Sequence, residues 1–387
     1  MISPTPPRKA LCAIAALVLV AFIFFHSQPL SHNFKPQIPG VLQAKIASGA
    51  PAADRRADRL LKDVYNSTLG ASLSDIKVKF IDGVFGTNIP NKAIPTSRDH
   101  DRLADPVLGT WRAHMNAIQE VVRRNLSTAL ILEDDVDWDV RLKHELHDFA
   151  LSTRALTQPL AASPDTYADP TFPAPRPESP GVVPDLDFHE LPATVAPTYS
   201  PYGDNWDMLW LGQCAMRFPE PHNPVIPKAR VVRWDDETVP ETRYLWSFTN
   251  PFQLIEDYPQ HTRVVHHAQE GVCALGYAVS QHGAQRLLHE VALKDVSDAV
   301  DILMRFFCDG ARGRRRHTCL TTQPGLFQHH RVAGPNRAAS DIGDHGDGWR
   351  EHGMTDMVRW STRLNADAIL DGATEFHDQY PNADVPS

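Results

Sequence analysis

The chain lacks any surplus of positive charge. Its 38 Lys and Arg stand against 47 Asp and Glu, a formal net charge of −9. Phosphate binding along a nucleic acid needs a net basic face, so the charge argues against that class of function, although a local basic face is compatible with it. The only dense basic run, Arg312-Gly313-Arg314-Arg315-Arg316, reads as a solvated loop. No internal repeat is present, which excludes a solenoid or propeller. No apolar run reaches the roughly 20 residues that span a bilayer comfortably. The nearest is sixteen residues, Ala10 to Phe25, behind Arg8 and Lys9. Small residues are missing where a cleavage site would want them, since Phe22, Ile23, Phe24 and Phe25 close the run. A positive flank, an apolar run and no cleavage site predict an uncleaved signal anchor over 1–28. A thin early secretory membrane tolerates a span this short.

With 42 % hydrophobic residues the chain has enough apolar content for a core. The positive-inside rule places everything after residue 28 in the secretory lumen, as a single-pass type II protein of the Golgi or endoplasmic reticulum. Asn66-Ser67-Thr68 and Asn125-Leu126-Ser127 fit the N-glycosylation pattern. Cys12 lies in the anchor. Cys214, Cys273, Cys308 and Cys319 permit two disulfides in any of three pairings, with Cys308–Cys319 the favoured local pair; buried free thiols are the alternative.

Residues 29–62 read as a stem, 63–370 as one large domain, and 371–387 as a C-terminal tail. Ile76 to Ile81 alternates with period two and reads as a strand before the Asp82-Gly83 turn. Trp111, Met115, Ile118, Val121 and Val122 recur at helical spacing over roughly 110–124. Ala129-Leu130-Ile131-Leu132 is the short continuous apolar run of a strand buried on both faces. A helix follows over about 140–156. Eleven prolines between Pro159 and Pro201 predict a disordered or extended insertion over about 157–204. Further strands are expected at 207–212, 231–234, 263–267 and 273–280. Ser280 is the predicted N-cap of a helix through Leu293. A helix over 297–307 and a strand and turn over 320–327 complete an α/β architecture around a mixed, mostly parallel sheet.

Four acids in five positions, Glu133, Asp134, Asp135 and Asp137, follow the buried 129–132 strand directly. Close carboxylates repel unless a cation neutralises them. Mg²⁺ and Mn²⁺ favour such oxygen ligands, and open α/β sheets bind ligands at the carboxyl ends of strands. A diphosphate leaving group is the usual partner of such a metal. The alternative is a solvated acidic turn with Asp137 or Asp139 at a helix N-cap. Adjacent acids cannot flank a sugar from both sides, which argues against a glycoside hydrolase.

The stretch Asn125 to Asp139, with Leu-Glu-Asp-Asp-Val-Asp at its centre, resembles the central motif of glycosyltransferase family 25, in particular its fungal, lipopolysaccharide-biosynthesis-like members. So do Trp111-Arg112-Ala113-His114-Met115-Asn116, Leu209-Trp210-Leu211-Gly212, Gly276 to Ser280 leading to Gly283-Ala284, and Val358 to Asn365. In order, they span roughly 64–370. The resemblance implies a GT-A-like fold and an inverting transfer, often of galactose from UDP-galactose with Mn²⁺, to a glycan or glycoprotein acceptor. It implies that Glu133 and Asp134 face the nucleotide and Asp135 contacts the metal. Asp137 assists, and His329 or His330 is the distal ligand. Arg359 and Arg363, four apart on an expected helical face, are candidates for the diphosphate. An inverting transfer needs a general base; Asp301 is the first candidate and Asp207 the second. One departure stands out. The Asn-x-Thr-Leu-Gly-like start at Asn66 runs straight into Ala71-Ser72-Leu73-Ser74. The first strand and nucleotide loop that the family carries there are absent. A catalytically weak or inactive scaffold is therefore the alternative function.

Overall fold

The structure, a computed structural model, describes residues 18–21, 65–95, 101–336 and 346–383. The predicted stem at 29–62 and most of the predicted anchor lie outside the described residues.

The core is a nine-stranded mixed sheet between helical layers. Its order is Val78–Ile81, Val18–Ala21, Thr128–Glu133, Gly276–Ser280, Met208–Gly212, Cys319–Gln323, Arg263–His267, Arg230–Arg233 and Leu186–Asp187. Six of these strands point one way. The other three, Val18–Ala21, Gly276–Ser280 and Arg263–His267, are reversed and interleaved. The sheet is thus largely parallel in direction, although two neighbouring pairs alone are parallel ones.

The period-two rule of a strand splits each central strand between two cores. Ala129, Ile131, Met208, Trp210, Tyr277 and Val279 face one way. There they meet Leu108, Trp111, Met115 and Ile118 of the helix Asp105–Arg123, and Leu303 and Phe307 of Val300–Asp309. Leu130, Leu132, Leu209, Leu211 and Leu320 face the other way, onto Leu142, Leu146 and Phe149 of the helix Leu142–Thr157. This is why 129–132 reads as an uninterrupted apolar run: both faces are covered. Ser280 caps its helix as expected, its hydroxyl accepting from the Gly283 N–H at 3.0 Å. The α-helix stops at Leu287, however, and continues as a π-type turn over Leu288–Ala292.

Four expectations meet the described residues. The first concerns the N-terminal run. Its described part, Val18–Ala21, is a strand, antiparallel to Val78–Ile81 on one side and to Thr128–Glu133 on the other. Among the described residues no helix is long and apolar enough to cross a membrane.

The second concerns 157–204, which is extended but packed. Asp169 is fully buried and accepts from the Thr171 N–H at 2.7 Å and the Ala229 N–H at 3.1 Å. Phe172 stacks on His267 with ring centroids 5.8 Å apart, and Tyr202 and Trp206 enter the core. Prolines forbid ladder bonding but not burial of the aromatics between them. The third is the tail. Residues 371–383 lie on the domain, with Asp378 paired to Arg359 and the His377 N–H bonded to Asn365 at 2.7 Å. The fourth is the expected helical face of Arg359 and Arg363. Those residues lie in turns, and the only helix there is Ala366–Leu370.

Candidate functional site

Thr128–Glu133 delivers Glu133 to the carboxyl end of the sheet. After a two-residue turn, Val136–Trp138 leaves the sheet and pairs antiparallel with Phe327–Arg331. That second strand arrives from Cys319–Gln323, so it crosses over the same end of the sheet. Two glycines permit the crossing. A Cβ on Gly212 would lie 2.7 Å from the Phe327 carbonyl oxygen, and one on Gly276 would lie 2.9 Å from the Phe327 ring. Here glycine is required by close approach.

The register sets His329 opposite Val136, beside the acidic turn. His329 Nδ1 lies 3.1 Å from Asp135 Oδ2, Arg331 Nη1 lies 3.8 Å from the same oxygen, and the His330 N–H donates to the Asp135 carbonyl at 2.8 Å. Burial disfavours ionisation of Asp135, but His329, Arg331 and Arg363 outweigh it and hold the carboxyl below its ordinary value. Burial likewise opposes charge on His329, and Asp135 overcomes it, raising that histidine.

Glu133 lies on the inner side of the turn. Its Oε1 is 3.5 Å from Nε2 of His114, a fully buried histidine whose Nδ1 is 2.9 Å from the Tyr277 hydroxyl. Burial, and then Glu133, push the Tyr277 phenol well above its usual value. The disulfide Cys214–Cys273 lies beside His329, following Gly212 and preceding Gly276. The expected local pair, Cys308–Cys319, forms the second disulfide. Asp301, the second residue of its helix, accepts from the Cys273 N–H at 2.9 Å. Asp301 therefore stands at the same end as Glu133 and Asp135.

The remaining predicted site residues are placed differently. Asp137 is 1 % exposed; Thr355 Oγ1 donates to it at 2.7 Å, the Arg363 N–H at 3.2 Å, and Ser361 through its hydroxyl. It anchors the 355–363 segment and does not face the open side. His330 turns inward too, with Nδ1 2.9 Å from Thr355 Oγ1. Arg363 staples the acidic turn from behind, donating to the Asp134 carbonyl at 2.8 Å and the Val136 carbonyl at 2.7 Å. Arg359 is 6 % exposed, bonded to Asp378 and stacked 4.4 Å over Trp360. Both guanidiniums are held by protein acceptors.

Asp207 begins its strand at the opposite end of the sheet, since Val279 pairs with Met208 while Gly276 pairs with Gly212. There it receives the Thr318 N–H at 3.0 Å and Arg286. The distance along the strand, roughly 15 Å from the acidic turn, removes it as a base.

Sequence reasoning missed His114, Tyr277, Arg331 and Asp356. For His114 a signal existed: a histidine among Trp111, Ala113, Met115 and Ile118 on a buried helix face needs a polar partner. Asp356 is raised by burial, while Arg331, His329 and Arg350 work the other way.

Asp135 and His329, with Glu133 nearby, form a mixed oxygen and imidazole set that suits Mn²⁺. No protein-family model matches the chain, and no curated protein or solved structure does either.

Proposed function

We propose that the chain is an inverting, metal-dependent glycosyltransferase of GT-A-like fold. It moves a sugar, galactose by the resemblance stated above, from a UDP-sugar to a hydroxyl of a glycan or glycoprotein. The observation that carries this reading is the pairing of Asp135 with His329 at the carboxyl end of the sheet. Open α/β sheets bind ligands outside the carboxyl ends of their strands, and the acidic turn follows the carboxyl end of Thr128–Glu133. Asp135 and His329 would hold Mn²⁺ or Mg²⁺, which supplies charge neutralisation to the departing diphosphate. Glu133 and Asp134 would face the nucleotide, and Asp301 is the remaining candidate for the base that takes the acceptor proton. Two disulfides fit a lumenal setting. Membrane attachment through the N-terminal run, with the rest of the chain in the secretory lumen, belongs to the same proposal.

A non-catalytic scaffold is the second reading. Its support is that His329 and Arg331 already neutralise Asp135 without a metal. Nucleotide release by the purified chain, over a panel of nucleotide-sugars with Mn²⁺, separates the two. The enzyme releases nucleotide with one donor, and Asp135→Asn lowers the rate by about 100-fold or more, a typical loss for a group that stabilises transition-state charge. Silence across the panel sinks the enzymatic reading, and activity that survives both chelation and Asp135→Asn sinks the metal role.

A further inference from the structure

Among the described residues, the Cys214–Cys273 disulfide has a histidine neighbour that the Cys308–Cys319 disulfide lacks. Cys214 Sγ, Cys273 Sγ and one ring nitrogen of His329 all lie within 4.8 Å of one another. Two thiolates and an imidazole are a frequent ligand set for Zn²⁺, with metal–sulfur distances of about 2.3 Å and metal–nitrogen distances of about 2.0 Å. Ligand atoms around such an ion stand roughly 3–4 Å apart, so side-chain rotation alone brings these three into place.

The backbone is already fixed around them. The Cys214 N–H donates to the Val272 carbonyl at 2.9 Å, and Asp301 holds the Cys273 N–H at 2.9 Å. The histidine is also oriented. Asp135 Oδ2 lies 3.1 Å from His329 Nδ1, which leaves Nε2 for a metal. A carboxylate bonded to the far nitrogen of a histidine ligand is the arrangement that fixes tautomer and ring direction in zinc sites.

We propose that reduction of Cys214–Cys273 creates a zinc site formed by Cys214, Cys273 and His329, with a fourth position open to water. The reductant is a dithiol. It gives up two electrons and two protons to the Cys214–Cys273 bond and leaves as its own disulfide. Zn²⁺ then displaces both thiol protons as the thiolates bind. In the oxidised chain neither Cys214 nor Cys273 is a thiolate, and there is no such site. One consequence rests on the glycosyltransferase reading: His329 cannot serve zinc and a catalytic ion together, so zinc on the reduced chain silences transfer. The site itself does not depend on that reading.

Cobalt reports the site without any assay of activity, because thiolate-bound Co²⁺ gives a sulfur-to-metal charge-transfer band. The full chain is reduced with a dithiol, freed of it by anaerobic gel filtration, and titrated with Co²⁺. The reduced wild type and Cys308→Ser/Cys319→Ser show the band, and Zn²⁺ bleaches it by displacement. Cys214→Ser and His329→Gln weaken binding at least tenfold, and the oxidised chain shows no band. His329→Gln keeps both disulfides, so its fold is checked in the oxidised state before reduction. An absent band in the reduced wild type, or a band that is undiminished in Cys214→Ser or in folded His329→Gln, overturns the proposal. Nucleotide release by the oxidised chain is measured separately, so failure of the enzymatic reading stays distinguishable from failure of this one.

Discussion

Asp135 and Asp137 are two residues apart in sequence and differ completely in what surrounds them. Asp137 lies within the strand Val136–Trp138 and enters a buried nest of hydroxyls and a backbone N–H, while Asp135 lies in the turn before that strand, beside His329. Asp137→Ala leaves the Thr355, Ser361 and Arg363 donors unmet. It is expected to lower stability by about 2–4 kcal/mol, as buried orphaned donors do, while Mn²⁺ titration of the folded fraction is unchanged. Lost metal affinity at full stability would return Asp137 to the metal site.

Glu145 carries a second residue-scale prediction. Burial raises its carboxyl to about 8 from an ordinary 4.5, against the pull of Arg263, and the nearby Asp139 and Asp236 add to the rise. The native state therefore keeps a proton that the unfolded chain gives up. The stabilisation is complete below the ordinary value and is lost as pH rises through about 8. Glu145→Gln cannot titrate. Its urea stability should fall less than wild type between about pH 5 and pH 8, by on the order of 1–3 kcal/mol. Equal slopes for the two proteins would refute the shift.

At the scale of elements, local patterns were read well where one covered face or one cap decided them. Thr128–Glu133, the Ser280 cap and the Asp105–Arg123 helix follow from hydrophobic period and capping chemistry, which need only neighbouring residues. The proline-rich stretch was misread because its anchors are few and distant. Asp169 binds Ala229, 60 residues away, and Leu186–Asp187 adds a parallel edge strand to Arg230–Arg233. Asp169→Ala should release this stretch. Limited proteolysis within 170–200 is expected to quicken by at least tenfold, with about 2 kcal/mol lost from stability. Unchanged cleavage would mean that Phe172, Tyr202 and Trp206 hold the segment unaided.

For the whole molecule, the decisive feature is the strand Val18–Ala21, which separates Val78–Ile81 from Thr128–Glu133. Deleting residues 1–28 would leave both neighbours with an open edge, a site of unpaired backbone groups prone to association. Amide exchange at Lys79, opposite Val20, and at Leu132, opposite Leu19, should accelerate by a factor of about 10 or more in the truncated chain. Identical exchange, with the full chain extracting into detergent as an integral membrane protein, would restore the anchor. The sequence by itself determined the α/β class and the acidic turn at a strand's end and favoured the local Cys308–Cys319 pair, since each depends on residues close along the chain. Only the tertiary structure decided that His329 meets Asp135 across 194 positions, that Asp137, His330, Arg359 and Arg363 turn inward, and that Asp207 sits at the wrong end of the sheet. The physical reason is that strand order and crossing are set by which distant segments bury each other's faces, and composition at one position carries no record of its partner.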